Sequence, residues 1–284
     1  MKKNGQLAVF FCAILWSTSG LFIKLIDWHP VVIAGMRSGI AVLFLVAVRS
    51  IFPRRSLPSK ISHIFAAGLS YAITMLTFVI ANKLTASANA ILLQYTAPVW
   101  AALFGLFLLK EKPFLEQIIA MILVMAGLLL FFRDGLRSGS IVGDGIAVFS
   151  GICFGAHSVF MRMQKDGNPA DSMLLAHIMC AVISIPFLCM FPPEFALSNV
   201  SGILFMGIIQ IGCASLLFAY GIKRVSAVHA MLIAMIEPIL NPVWVLLITG
   251  EIPSFSALIG GGIIILVIGI SELIGVTRHR SSTA

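Results

Sequence analysis

The stretch AMIEPILNPVW, residues 234–244, sets one carboxylate, Glu237, among Met, Ile, Pro and Leu. Such a group could take up a proton or hold an ammonium ion. It could instead only cap a helix broken by Pro238 and Pro242, whose rings free backbone carbonyls, or pair with Arg37. Arg37, in AGMRSGIA, is the one arginine deep inside an apolar run. Its fork of donors could grip a carboxylate bidentately, but a structural role, pairing or tying down backbone, is the favoured reading. Gln94 and Tyr95 precede Pro98, and Asn89 lies one to two turns away. An amide and a phenol there could bind a neutral or zwitterionic solute, or only glue helices at about 0.6 kcal/mol per bond. Trp16, followed by Ser17, Thr18 and Ser19, could stack on a solute or only pack. Tyr71 with Thr74, and Gln210, are candidate lining groups. His157 and His177 are candidate proton carriers or satisfied packing residues.

The elements that must position these groups follow from hydropathy. Of 284 residues, 60% are hydrophobic and 11% are charged, against about a quarter charged in a soluble domain. Such a chain lacks the polar surface to face water, and runs of roughly 20 apolar residues cross a bilayer as helices. Ten spans are expected, over 7–26, 30–51, 62–82, 86–109, 115–132, 141–162, 171–191, 200–222, 226–249 and 255–276. Turn residues and charges punctuate the breaks, and no loop is long enough to form a domain. The first span follows Lys2 and Lys3, but at about 20 residues it is too long for a signal peptide and lacks a small-residue cleavage site. The five cysteines fall inside spans and read as small apolar packers.

Positive charge orients the chain. With the N-terminus in the cytoplasm, cytoplasmic segments carry 14 of the 19 Lys and Arg, the opposite side carries four, and Arg37 lies within a span. This is the positive-inside pattern, and it places both termini in the cytoplasm of a cell (inner) membrane. The net charge of +8 therefore reflects topology, and cations scattered over short loops speak against nucleic acid as a partner.

The chain also repeats itself. AILWSTSGLFIK from Ala13 aligns with GICFGAHSVFMR from Gly151, so that Lys24 meets Arg162. SANAILLQYTAPVW from Ser87 aligns with SAVHAMLIAMIEPILNPVW from Ser226. With one residue slipped in, Pro98 meets Pro238, Glu111 meets Glu251 and Ala97 stands where the second half has Glu237. Residues 1–137 and 138–284 each hold five spans. Five is odd, so the second half enters the membrane from the opposite side. The expected fold is an all-α integral membrane protein, ten transmembrane helices as a 5+5 inverted-topology repeat around a central cavity. Such repeats place a solute site near the bilayer midplane. Gly105, Gly127, Gly151, Gly260-Gly261-Gly262 and Gly269 are expected at close helix contacts, and Glu111 and Glu251 at the closure between halves.

ILWSTSGLFIK, AGMRSGIA, SANAILLQYTAPVWAALFGLFLLKE and SAVHAMLIAMIEPILNPVW, in this order and doubled, resemble the EamA branch of the drug/metabolite transporter superfamily over essentially the whole chain. The resemblance implies ten helices around a cavity lined mainly by spans 1, 3, 4, 6, 8 and 9, and export of small metabolites, often amino acids or related compounds. Transport would be proton-coupled or facilitative, by a monomer or homodimer in the lipid bilayer, with no cofactor and no metal. The rival substrate class is cationic amines or drugs, with Glu237 as counter-charge. A remoter rival is an intramembrane enzyme, for which Ser215 is a poor nucleophile candidate. No Walker motif supports an ATP-driven pump.

Overall fold

The computed structural model of the chain describes residues 2–18, 22, 26–52, 59–85, 87–136, 140–249 and 254–281. Among them the secondary structure is helical throughout, and the helices form ten consecutive rods. Span 1 is Lys2–Ser17, span 2 Pro30–Ile51, span 3 Ile61–Leu84, span 5 Leu115–Phe132, span 6 Ile141–Arg162, span 7 Ala170–Met190 and span 10 Phe255–Ser281. Span 4 is two half-helices, Ser87–Gln94 and Ala97–Phe104, and span 9 likewise, Ala227–Ala234 and Glu237–Thr249. Span 8 runs through Leu197–Phe205, a π-helical segment Met206–Cys213 and Ala214–Ile222. Seven of the helical runs are long and apolar enough to cross a membrane, with shorter apolar runs at Ala227–Leu240 and Phe255–Ser271. The chain is thus a multi-pass membrane protein.

Local chemistry explains the ends. Pro30 opens span 2 at the first helical turn, where its missing N–H has no intrahelical partner to lose. Ser140 caps span 6 by accepting from the Gly143 N–H at 3.4 Å, and Ser226 caps span 9 by accepting from the His229 N–H at 3.3 Å. Span 1 starts at Lys2, five residues before the expected boundary, because nothing before Leu7 stops a helix. Leu43, Ile122, Val182, Leu247 and Leu266 are exposed on the outer faces of the rods, where only lipid would cover them.

The rods pair in a regular way. Span 3 packs along span 6 and span 1 along span 8; span 3 meets span 7 and span 2 meets span 8; span 4 meets span 6 and span 1 meets span 9. Spans 2 and 7, 4 and 9, and 5 and 10 pack on each other. Exchanging the first five spans with the second five maps these pairs onto themselves.

Small residues set two of the approaches. A Cβ on Gly151 would lie 2.8 Å from the Gln94 carbonyl oxygen, and one on Gly155 2.8 Å from that of Ala97, so span 6 rests directly on the broken backbone of span 4. A Cβ on Gly260 would lie 2.5 Å from the Gly127 carbonyl oxygen, which joins spans 5 and 10. The expectation of close contact fails for Gly262 and Gly269, which have nothing within 4 Å, and for Gly105, whose nearest neighbour is at 3.9 Å. A run of glycines places only one face of the helix at the partner.

Candidate functional site

Two turns interrupt the apolar rods at matching places. In span 4, Tyr95 and Thr96 form a turn closed by Thr96 N–H to Leu93 O at 3.3 Å and Val99 N–H to Thr96 O at 2.9 Å. In span 9, Met235 and Ile236 form one closed by Met235 N–H to Leu232 O and Ile236 N–H to Ile233 O, both 3.2 Å. Each turn precedes a proline, Pro98 or Pro238, which lacks the N–H for the regular ladder and clashes with the carbonyl four residues back. The break in span 9 was expected; that in span 4 has the same cause. The backbone runs on as helix through residue 242, while the side chain of Pro242 lies outside the described residues.

Glu237 is the first residue of the second half-helix of span 9, where unpaired N–H groups and the helix dipole favour a negative charge. It is partly buried. The Tyr95 phenol, from the turn in span 4, faces its carboxylate. The two broken helices pack on each other. Arg37 of span 2, Cys12 of span 1 and Tyr71 of span 3 stand within electrostatic reach of this carboxylate.

Arg37 pairs with none of them. The described ion pairs are Arg49–Asp171 at 2.5 Å and Arg162–Glu111 at 3.3 Å, and the buried Arg37 Nε has no hydrogen-bond partner. The sequence-based preference for a paired structural arginine is therefore not met among the described residues.

The other candidates divide. Trp16 is 5% exposed, its indole ringed by Tyr71, Phe154 and Phe218 at centroid distances of 6.4, 6.0 and 5.4 Å, which is a packing position. Tyr71 stacks on His157 at 4.5 Å. His157 Nδ1 lies 2.9 Å from the Ala67 carbonyl oxygen, and His177 Nε2 lies 2.9 Å from Ser215 Oγ, so both histidines are buried between helices. Thr74 bonds its own helix, donating to Ser70 O at 2.8 Å. Gln210 donates to the Trp16 carbonyl at 3.4 Å from within the π-helical segment of span 8, and its buried Oε1 has no protein partner. Gln94 donates to Ser150 Oγ at 3.0 Å, and Ser150 donates on to Thr74 O at 3.1 Å. Asn89 donates to Asp144 at 3.4 Å, beside Thr85, which donates to the same oxygen at 2.6 Å. Gln94 and Asn89 thus join span 4 to span 6. Ser17 accepts from the Trp244 Nε1–H at 2.8 Å; Ser19 lies outside the described residues.

Sequence reasoning missed Ser150, Asp144 and Trp244. Each is a partner 55 or more residues away, a pairing no local pattern encodes. Glu111, expected to cap a span end or to close the halves, accepts from Arg162, while Arg162 donates on to the carbonyls of Ile222 and Lys223 at 3.2 and 2.6 Å. This knot ties the ends of spans 4, 6 and 8 together. Lys24 and Glu251, the matched residues of the repeat, lie outside the described residues.

Apolar helices broken in mid-course, with a charged group at one of the breaks, suit the architecture of a membrane transporter. The EamA-like transporter family model matches residues 3–133 and 141–272. The chain belongs to that family, part of the drug/metabolite transporter superfamily. Among its relatives is an uncharacterized transporter of Archaeoglobus fulgidus, 24% identical over 279 residues, covering 92% of this chain and 94% of the relative. Another is the uncharacterized transporter YyaM of Bacillus subtilis (strain 168), 21% identical, with 86% and 83% covered. A solved crystal structure shares the fold with a TM-score of 0.83 at 18% identity, covering 96% of this chain and 98% of that one. Family and relatives point to a transporter rather than an enzyme.

Proposed function

We propose that the protein is a secondary transporter that exports amino acids or related small metabolites by alternating access of two five-span halves, residues 1–137 and 138–284. The packing pairs support an inverted repeat, since exchanging the halves preserves them. Two further features agree: the family model matches once in each half, and spans 4 and 9 break at matched positions. The observation that carries the reading is that the two broken helices, spans 4 and 9, one from each half, pack on each other, with Tyr95 of one facing Glu237 of the other. Repeats of this kind bind their solute where broken helices meet near the midplane. Charge bias supports cytoplasmic termini and a cell-membrane location.

Glu237 is the charge-handling group, and it couples transport to protons when it exchanges one during the cycle. The titratable and charged groups facing it are Tyr95, Arg37, Cys12 and Tyr71. The test is uptake of labelled amino acids into proteoliposomes, comparing wild type with Glu237→Gln, with and without a pH gradient. Loss of the gradient response alone assigns the proton to Glu237. Unchanged behaviour makes Glu237 a helix cap. In a second reading the substrate is a cationic amine held by Glu237, which the exposed rim of this carboxylate favours. Competition between amino acids and amines separates the two.

A further inference from the structure

Arg37 differs from the other arginines whose partners are described. Arg49 reaches Asp171. Arg162 reaches Glu111 and two carbonyls. Arg224 donates to the Tyr220 carbonyl at 2.7 Å and lies 3.5 Å over the Tyr220 ring. Arg37 is flanked by buried residues in mid-span, yet no carboxylate or carbonyl of the described protein receives it.

Its direction follows from its neighbours on span 2. Ala34 and Gly35 face span 7: the Cys180 thiol donates to Ala34 O at 3.8 Å, and a Cβ on Gly35 would strike Ser184. Ile33, Met36 and Ile40 face span 8, where they pack with Ile203, Met206 and Gly207. At 100° per residue, position 37 falls between these two faces. It enters the groove between spans 7 and 8, away from exposed Leu43 and Val46. In that groove it stands in the field of Cys180, Tyr71, His177 and Glu237.

Arg37 is partly exposed as a residue, but its Nε is buried without a partner, and a guanidinium donor out of water is costly unless an anion or an acceptor compensates it. Glu237 opens its own half-helix, where unpaired N–H groups favour its charge, with Tyr95 facing it. The scaffold keeps the two opposite charges apart within one another's field. We propose that Arg37 binds the carboxylate of the transported solute, and that this residue selects carboxylate-bearing substrates over their amides and decarboxylated amines. The planar fork suits a carboxylate bidentately, while Glu237 faces the ammonium end of a zwitterion. This rests on the transporter reading of the same site and excludes its amine alternative.

The test uses matched probes: alanine, leucine and phenylalanine, each with its amide, its decarboxylated amine and its deaminated acid. Binding to the detergent-solubilised protein is read by thermal shift, and transport by competition in proteoliposomes. Wild type is expected to prefer the amino acid over its amide by about tenfold or more, the size of a lost charge-assisted bond. Arg37→Gln is expected to bring that ratio within about twofold while the preference for an amine-bearing probe over the deaminated acid remains. If Arg37→Gln does not fold, Arg37→Lys carries the test: a weakened carboxylate preference supports the assignment and an unchanged one overturns it. Equal recognition of acid and amide by wild type overturns it too. Carboxylate-dependent binding without movement across the bilayer sinks the transport reading and leaves the assignment standing. No binding of any probe counts against both.

Discussion

Spans 4 and 9 have the same backbone and different chemistry. Each breaks at the turn before a proline, and each restarts as a helix within two residues. In span 4 the polar side chains around the turn are mostly consumed by the protein. Gln94 bonds Ser150, Thr96 donates to Leu93 O at 2.7 Å, and Trp100 donates to Thr96 at 3.2 Å. Ala97, which opens the second half-helix, is 1% exposed. In span 9 the position matching Ala97 is Glu237, partly open, with Tyr95 of span 4 facing it. The two breaks share a backbone, and the side chains at which the helices restart differ.

Breaking this difference on the span 9 side should have the largest effect. Glu237→Ala removes the carboxylate, and an interaction made to a charged group is worth about 1.5–3 kcal/mol, so transport should fall about 10- to 100-fold. Initial rates in proteoliposomes measure this, and near-wild-type rates would show that span 9 carries no more chemistry than span 4. Tyr95→Phe removes the hydroxyl that faces this carboxylate but leaves the charge, and should have a smaller effect.

Next comes the scaffold. Gly155→Leu pushes a side chain into the Ala97 carbonyl and Trp100 Cβ, at 2.8 and 2.7 Å, and overpacking of this kind costs about 1–3 kcal/mol. Gly262→Leu meets nothing within 4 Å and should stay within about 0.5 kcal/mol of wild type. Thermal unfolding in detergent compares the pair, and equal losses would show that the contact of span 6 with the span 4 turn is not what holds it. Gln94→Ala removes one interhelical bond and should cost about 0.6 kcal/mol, with transport retained; a transport loss as large as that of Glu237→Ala would return Gln94 to the solute site.

The smallest effect is expected at the far end of span 5. The hydroxyls of Ser256 and Ser254, followed by the charge of Arg133, hold the Asp134 carboxyl below the usual carboxylate range. A carboxyl depressed in the folded state stabilises above its unfolded pKa of about 4, and that contribution disappears as pH falls through the folded value. Asp134→Asn should therefore lower the melting temperature slightly at neutral pH and merge with wild type in strong acid. A difference that persists in acid would mean that packing, not charge, joins spans 5 and 10 there.

Much of this was legible in the residues. Spans 2, 5 and 6 begin and end where hydropathy, Pro30 and the turn residues put them. The break in span 9 followed from Pro238, and the same logic applied to Pro98 yields the break in span 4. The candidate site was legible in its charged members, because an ionisable residue in an apolar run is costly enough to need a purpose. Its neutral members were not. Gln94, Asn89 and Trp16 share their types with solute-binding groups, and only the folded chain brings them to Ser150, Asp144 and Phe218.

The sequence by itself determined the solvent, the spans, the two broken helices and the doubling, because transfer to lipid, helix period and the missing proline N–H act within a few residues. Tertiary structure alone decided which polar groups meet. The approach of Tyr95 to Glu237, the Gln94–Ser150 bond and the solitary place of Arg37 depend on how rods distant in sequence pack, and helix periodicity names a face of a rod without naming what lies opposite.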